Sequence, residues 1–160
     1  MKLYNELSSC DKFFLIAGTC VVEDETMMMQ IAAELVEMTN KLGIPFVFKS
    51  SFRKANRTSI ESPTGPGLKK GLEVLSKIKQ EFNVPILTDV HEISEVTEVA
   101  EVADILQIPA FLSRQSDLIF AAGQTGKIVN VKKGQFMAPE DMKNASEKIL
   151  AAENKNVILT

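Results

Sequence analysis

"VPILTDVHEISEVTEVAEVADILQI" runs from Val84 to Ile108, and its reading decides the fold. Its two ends, Val84–Val90 and Asp104–Ile108, are short apolar runs rich in Val and Ile with no polar alternation, the pattern of strands buried on both faces. Between them, Ser94 to about Val102 reads as a short helix. A strand, a crossover helix and a second strand give parallel pairing.

The same unit repeats on either side. Phe13–Gly18 is a first strand. Thr26–Leu42 is a helix with Met28, Ile31, Ala32, Leu35, Met38 and Leu42 on one face and Gly43 beyond its end. Ile44–Phe48 is a second strand, followed by a helical stripe of Leu68, Leu72, Leu75, Ile78 and Phe82. After Ile108 come a helix over Ser116–Gln124, a strand over Lys127–Lys132, a helix from Pro139 to about Ala152, and a last strand over Asn156–Thr160. The expectation is one domain over 1–160 with six strands and five helices, residues 1–12 forming a mobile N-terminal segment.

Composition narrows the class. The chain has 160 residues, 45% of them hydrophobic and 24% charged, with a net charge of −3. That describes a globular protein and gives no support for a nucleic-acid partner. No apolar run is long enough to span a bilayer, the N-terminus lacks the layout of a signal peptide, and the expected location is the cytoplasm. Cys10 and Cys20 make no disulfide framework.

Polar residues collect after the strands: Thr19, Cys20 and Glu23 after the first, "FKSSFRKANRTS" (48–59) at the second, Asp89, His91 and Glu92 at the third, Gln107, Arg114 and Gln115 at the fourth, Lys132, Lys133 and Gln135 at the fifth. An open doubly wound sheet concentrates its site at one crevice where strand order reverses. A site fed by nearly every βα loop is the pattern of a TIM (β/α)8 barrel, of which about six strands and five helices are present here. Lys49, Lys54, Arg57, Arg114 and Lys132 would then converge on one mouth. Single surface cations are mostly solvated, but several in a partly desolvated mouth suit phosphate and carboxylate groups. No Gly-rich phosphate loop occurs; "TGPGLKKG" (64–71) has neither the dinucleotide nor the Walker spacing. Cys20 is open to three readings: a small core residue, a nucleophile or a metal ligand. His91 is a core histidine, a ligand or an acid–base group.

Four stretches, "FKSSFRKANRTS" (48–59), "PILTDVHE" (85–92), "QIPAFLSRQSDL" (107–118) and "VNVKKGQFMAPEDM" (129–142), together resemble the 3-deoxy-D-manno-octulosonate 8-phosphate synthases, in order and from Phe13 to Thr160. The K-A-N-R-[TS] element separates that family from the related 3-deoxy-D-arabino-heptulosonate 7-phosphate synthases, which carry K-P-R-T and use erythrose 4-phosphate. The resemblance implies a (β/α)8 barrel and a transferase that condenses phosphoenolpyruvate with D-arabinose 5-phosphate in lipopolysaccharide biosynthesis. It implies a homotetramer that works on small molecules, without nucleic acid or membrane.

The resemblance also implies roles. Lys49, Lys54, Arg114 and Lys132 fall on positions used around phosphoenolpyruvate, with Ser51 among the binding residues. Asn56, Arg57 and Ser59 fall on the loop that meets arabinose 5-phosphate, whose phosphate Arg57 of a neighbouring subunit would reach. Asp89, Gln107 and Gln135 line the mouth, and Lys54, Asp89 and Lys132 take the catalytic positions. Cys20, in "AGTC", marks the class that depends on a divalent metal; the family's stretch is A-G-P-C, so Thr19 is a departure expected to change the rigidity of the turn more than the ligand. Two further βα units of the family, carrying a His, a Glu and an Asp as metal ligands and a phosphate-binding Arg, have no counterpart in these residues. The expectation is therefore a fragment or truncated form that is inactive alone and prone to associate. The rival expectations are a non-catalytic half-barrel that binds sugar phosphates, and a related synthase using erythrose 4-phosphate.

Overall fold

Six strands alternate with helices in the computed structural model, which describes residues 2–160. The chain packs as two compact units, one through Thr88 and one from Asp89.

In the first unit, helix α1 (Lys2–Ser8) precedes strand β1 (Leu15–Ala17), helix α2 (Glu25–Leu42), strand β2 (Phe46–Lys49), helix α3 (Leu68–Phe82) and most of strand β3 (Ile86–Asp89). β1 pairs parallel with β2, Ile16 opposite Val47, and β2 pairs parallel with β3, Phe48 opposite Ile86. α2 starts where the Asp24 carboxylate accepts from the Met27 N–H at 2.8 Å. It stops at Gly43, whose φ of 62° lets its N–H turn back to the last helical carbonyls. Met28, Ala32, Leu72, Leu75 and Ile78 bury the facing stripes of α2 and α3 over Val47, Phe48, Ile86 and Leu87. Each such buried side chain stabilises the fold by about 1.5–3 kcal/mol relative to exposure.

In the second unit come helix α4 (Ile93–Val102), strand β4 (Ile105–Ile108), helix α5 (Ser116–Gln124), strand β5 (Ile128–Val131), helix α6 (Met142–Leu150) and strand β6 (Val157–Leu159). β4 pairs parallel with β5, Gln107 opposite Asn130, and β5 with β6, Asn130 opposite Ile158. α4 opens on a capping box between Glu92 and Glu95. Asn154, buried beyond α6, donates from Nδ2 to the carbonyls of Gly123 (3.0 Å) and Lys127 (2.8 Å) and accepts from the Asn156 N–H (2.9 Å). It thereby ties the end of α5 and the approach to β5 to the start of β6.

Within each unit every strand lies beside the next in sequence, without the reversal of order that an open doubly wound sheet needs. These are βα units of a TIM (β/α)8 barrel, and six of its strands are present.

Two expectations need correction. The N-terminal segment contains α1, whose Leu7 is buried, so among the described residues six α-helices occur where five were expected; seven residues with a single buried one leave too little periodicity to read. Pro139 begins a 3-10 turn over Pro139–Asp141, and the α-helix proper starts at Met142. Full burial on both faces holds for β3, β4 and β5, whereas β1 and β6 are partly exposed.

Candidate functional site

The first unit gathers its polar groups where β1 and β2 end. Gly18 allows this. A Cβ there would lie 2.2 Å from the Lys49 carbonyl oxygen, and φ is 154°, so only glycine lets the two chains approach. The segment after Gly18 then runs beside the end of β2: Val21 bridges Ser51, the Val22 N–H donates to the Ser51 carbonyl at 2.9 Å, and the hydroxyls of Thr19 and Ser50 are 2.7 Å apart. Thr19 thus makes a side-chain bond that the proline of the A-G-P-C pattern has no group to make. Cys20 stands between Thr19 and Val21 with its thiol exposed, which sets aside the core reading of this residue.

Two of the cations meet here. The Nζ atoms of Lys49 and Lys54 donate to the same Ser51 Oγ, at 3.1 and 2.8 Å. Ser50 and Ser51 are fully buried, while both lysines are half-buried, so the ammonium groups are partly shielded from water and attract an anion more strongly than solvated ones do. Phe52 anchors the turn that follows. It is fully buried, and Gly65 and Gly71 lie so close that a Cβ on either would meet Phe52 atoms at 2.8 and 2.3 Å. The Lys54 N–H closes the turn onto the Thr64 carbonyl at 2.7 Å. Beyond it, Asn56, Arg57 and Ser59 are exposed. Arg57 donates from Nε to the Pro63 carbonyl at 2.9 Å, and Ser59 Oγ accepts from the Glu61 N–H at 3.2 Å. The structure therefore brings Lys49, Ser51 and Lys54 together and leaves Asn56, Arg57 and Ser59 on an outlying loop.

The second unit holds a different arrangement. Asp89, Gln107 and Asn130 are all buried at the carboxyl ends of β3, β4 and β5. Gln107 Nε2 donates to Asp89 Oδ1 by a short hydrogen bond, and Asn130 Nδ2 donates to Gln107 Oε1 at 2.9 Å. Arg114, Lys132 and Gln135 are exposed. Arg114 lines a cleft of about 310 Å³ together with Ser113, Phe136, Met137, Asn144 and Lys148, so the loop after β4 and the loop after β5 share one wall. Lys133 folds back onto its own loop, donating from Nζ to the carbonyls of Gly134 (3.0 Å) and Met137 (3.1 Å).

His91 is held at the start of α4. Its N–H donates to Glu95 Oε2 at 2.8 Å, its Nδ1 lies 3.6 Å from the same oxygen, and its ring stacks on Phe111 with centroids 6.5 Å apart. Its side chain is 4% exposed, so of the three readings the buried structural histidine fits.

Among the described residues, no three of His, Cys, Asp and Glu are grouped to hold a metal ion. Cys20 alone falls short of the ligand number a divalent metal takes, and these residues do not by themselves fit the group.

Sequence reasoning passed over Asn130 and Glu95. Asn130 had a signal: it interrupts "IVNV" as Gln107 interrupts "ILQI", and an amide inside a strand buried on both faces needs a partner. Glu95 carried none, since a Glu in a helical stretch is most often a surface residue.

A sequence profile described as the DAHP synthetase I family matches residues 8–160. Over 160 residues the chain is 56% identical to a protein of Rickettsia typhi named 2-dehydro-3-deoxyphosphooctonate aldolase, covering all of this chain and 57% of that protein. It is 54% identical over 157 residues to 2-dehydro-3-deoxyphosphooctonate aldolase 1 of Arabidopsis thaliana, covering 98% of this chain and 54% of the plant protein. It is 57% identical over 148 residues to the Fusobacterium nucleatum protein of the first name, covering 92% of this chain and 53% of that protein. The chain spans about half the length of these curated relatives. With nearly all of its residues inside the profile, and its lysines and carboxamides at the ends of parallel strands, the chain belongs to the DAHP synthetase I family.

Proposed function

We propose that these residues are five βα units and a sixth strand of the barrel of a 3-deoxy-D-manno-octulosonate 8-phosphate synthase. The reaction is the condensation of phosphoenolpyruvate with D-arabinose 5-phosphate, giving 3-deoxy-D-manno-octulosonate 8-phosphate and inorganic phosphate for lipopolysaccharide synthesis. The observation that carries this is the 56% identity, over all 160 residues, to a protein named 2-dehydro-3-deoxyphosphooctonate aldolase. The pair of lysines on Ser51 is in keeping with it, because phosphoenolpyruvate brings a phosphate and a carboxylate that need cations at close range.

The chemistry follows from charge. C3 of phosphoenolpyruvate attacks the aldehyde carbon of arabinose 5-phosphate and forms the new C–C bond. The aldehyde oxygen becomes an alkoxide and takes up a proton, while C2 gains cationic character. Water adds at C2 and loses a proton; the new hydroxyl then gives up its proton as the C2–O bond to phosphate breaks, leaving a ketone and inorganic phosphate. Lys49, Lys54, Arg114 and Lys132 hold the anionic groups and lower the entropic cost of bringing two substrates together. Lys54 and Lys132, as ammonium groups, serve the developing alkoxide and the departing phosphate; Asp89, as a carboxylate, serves the water. Gln107 and Gln135 orient the substrates. Asn56, Arg57 and Ser59 take the aldose phosphate, Arg57 from a neighbouring subunit of a tetramer, in keeping with its exposure on the outer loop. A divalent metal held in part by Cys20 belongs to the same proposal and requires ligands beyond these residues; no step above uses it. The proposed location is the cytoplasm. Among the described residues no helix is long and apolar enough to cross a membrane.

The test is turnover by the full-length protein expressed from its gene, followed as release of inorganic phosphate. Phosphate release with arabinose 5-phosphate and none with erythrose 4-phosphate is the expected result. Preference for erythrose 4-phosphate assigns the related synthase instead. Phosphoenolpyruvate binding without turnover on either aldose overturns the catalytic reading.

A further inference from the structure

We propose that Asn130 is a positioning residue whose carboxamide fixes the orientation of Gln107, so that the Gln107 NH2 rather than its oxygen faces Asp89. This rests on the synthase reading of the site.

Three buried polar side chains stand at the ends of neighbouring strands. Gln107 and Asn130 are in register across β4 and β5, so their side chains leave the sheet on the same side within reach of each other. All three residues are at most 8% exposed, and water is a poor substitute partner at that depth. An ionised carboxylate only accepts hydrogen bonds. The atom of Gln107 that meets Asp89 is the amide nitrogen, the orientation that suits a carboxylate, and the opposite end of the same amide presents its oxygen. That oxygen needs a donor, and Asn130 Nδ2 supplies it at 2.9 Å. The Asn130 oxygen in turn faces a hydroxyl, Thr160 Oγ1, at 3.4 Å. Every donor in the row points toward Asp89, and such a row reinforces each of its bonds.

Asn130 reaches Asp89 only through Gln107, so it acts on the site without touching substrate. Its effect belongs in the chemical step more than in anion affinity, because Asp89 is the group proposed to serve the attacking water, whereas the lysines are proposed to hold the anionic groups. An aspartate at 130 tests the idea with almost no change of shape. When ionised it can only accept, so Gln107 either turns its NH2 away from Asp89 or leaves two acceptors opposed.

The decisive measurement is neutron diffraction from deuterium-exchanged crystals of the full-length wild-type protein, which tells amide nitrogen from oxygen by its deuterons. The expected map has the Gln107 deuterons toward Asp89 and an Asn130 deuteron toward Gln107. The opposite orientation of Gln107 overturns the proposal, and needs no variant to fold. Kinetics of Asn130→Asp provide the second reading. The expected result is a fall in kcat of about tenfold or more, with the phosphoenolpyruvate KM changed less than about threefold. Wild-type kcat in a folded Asn130→Asp protein also overturns the proposal. A wild-type protein that fails to turn over phosphoenolpyruvate with arabinose 5-phosphate sinks the synthase reading instead, and the neutron map still decides the amide.

Discussion

Lys49 and Lys54 converge on one buried hydroxyl, Ser51 Oγ, from 3.1 and 2.8 Å. The two ammonium groups repel each other, and the hydroxyl between them offers its lone pairs to both. Ser51→Ala removes that shared acceptor from both ammonium groups. The expected outcome is a phosphoenolpyruvate KM raised by about five- to tenfold, since a hydrogen bond to a charged group contributes about 1.5–3 kcal/mol and water replaces part of it. Lys54→Met is expected to exceed that loss. Isothermal titration of the variants with phosphoenolpyruvate checks both.

Gly71 and Phe52 make the second prediction. A Cβ at position 71 would sit 2.3 Å from the Phe52 Cβ and 2.9 Å from its Cα. Neither is the tip of a flexible side chain, so the backbone after β2 must shift. Gly71→Ala is expected to destabilise the protein by about 1–3 kcal/mol, although alanine favours a helix interior by roughly 1 kcal/mol over glycine. Because Phe52 lies between Ser51 and Lys54, the variant also loses phosphoenolpyruvate affinity. Urea unfolding and the same titration measure the two effects, and unchanged affinity in a destabilised variant would separate the turn from the binding site.

The strands and the helices of the βα units were legible because burial on both faces writes Val and Ile without alternation, and one-faced helices write a 3.6-residue stripe. Lys49, Asp89 and Gln107 stood out as polar residues at the ends of such strands. α1 was not legible, since a seven-residue helix contributes one buried side chain. Neither was the split of the cationic stretch over 48–59. Lys49 and Lys54 meet at Ser51, whereas Arg57 turns to the Pro63 carbonyl, and that difference is made by the turn around Phe52, which depends on glycines 13 and 19 residues downstream. Asn130 and Gln107 look alike in sequence, and only the register of β4 on β5 joins them.

Glu95 gives the third prediction. One of its oxygens accepts from the backbone N–H groups of His91 (2.8 Å) and Glu92 (3.2 Å), ahead of the first turn of α4, where a negative charge also suits the helix dipole. Glu95→Ala removes the acceptor from two part-buried backbone donors. The expected loss is about 1–2 kcal/mol, with Glu95→Gln losing less because it keeps an acceptor. Thermal unfolding of the two variants side by side gives the order.

Glu25 gives a prediction in pH. The hydrogen bond from Lys77 at 2.6 Å, with added attraction from Lys77 and from Lys70 at 3.7 Å, holds its carboxyl below the ordinary glutamate range. A depressed folded-state value means that the stabilisation is complete above the unfolded value, about 4.3, and is lost as pH falls through the folded one. The unfolding midpoints of wild type and Glu25→Gln are therefore expected to differ slightly near neutrality and to converge in the acid range. Both partners are on the surface, so added salt shrinks the difference at neutral pH. A difference that survives high salt would point to a packing effect of the side chain.

Lys133 and Gln135 make the last prediction. The Lys133 ammonium donates to the carbonyls of Gly134 and Met137 at 3.0 and 3.1 Å, and its N–H donates to the Thr160 carbonyl at 2.7 Å. The loop between those carbonyls carries Gln135 and the exposed ring of Phe136. A lysine spent on its own loop adds no free charge for a substrate; it fixes the curve that presents Gln135. Lys133→Met keeps the length of the side chain and removes the donors, leaving two carbonyls without that partner. The expected outcome is a loop cut faster by protease and a substrate KM raised by about three- to tenfold, from loss of hydrogen bonds worth about 1 kcal/mol each. Global stability should change little, because the loop is exposed on its outer side. If Lys133 instead met substrate as Lys132 is proposed to, the variant would lose kcat and affinity with the loop no more open to protease than before. Limited proteolysis beside steady-state kinetics distinguishes the two.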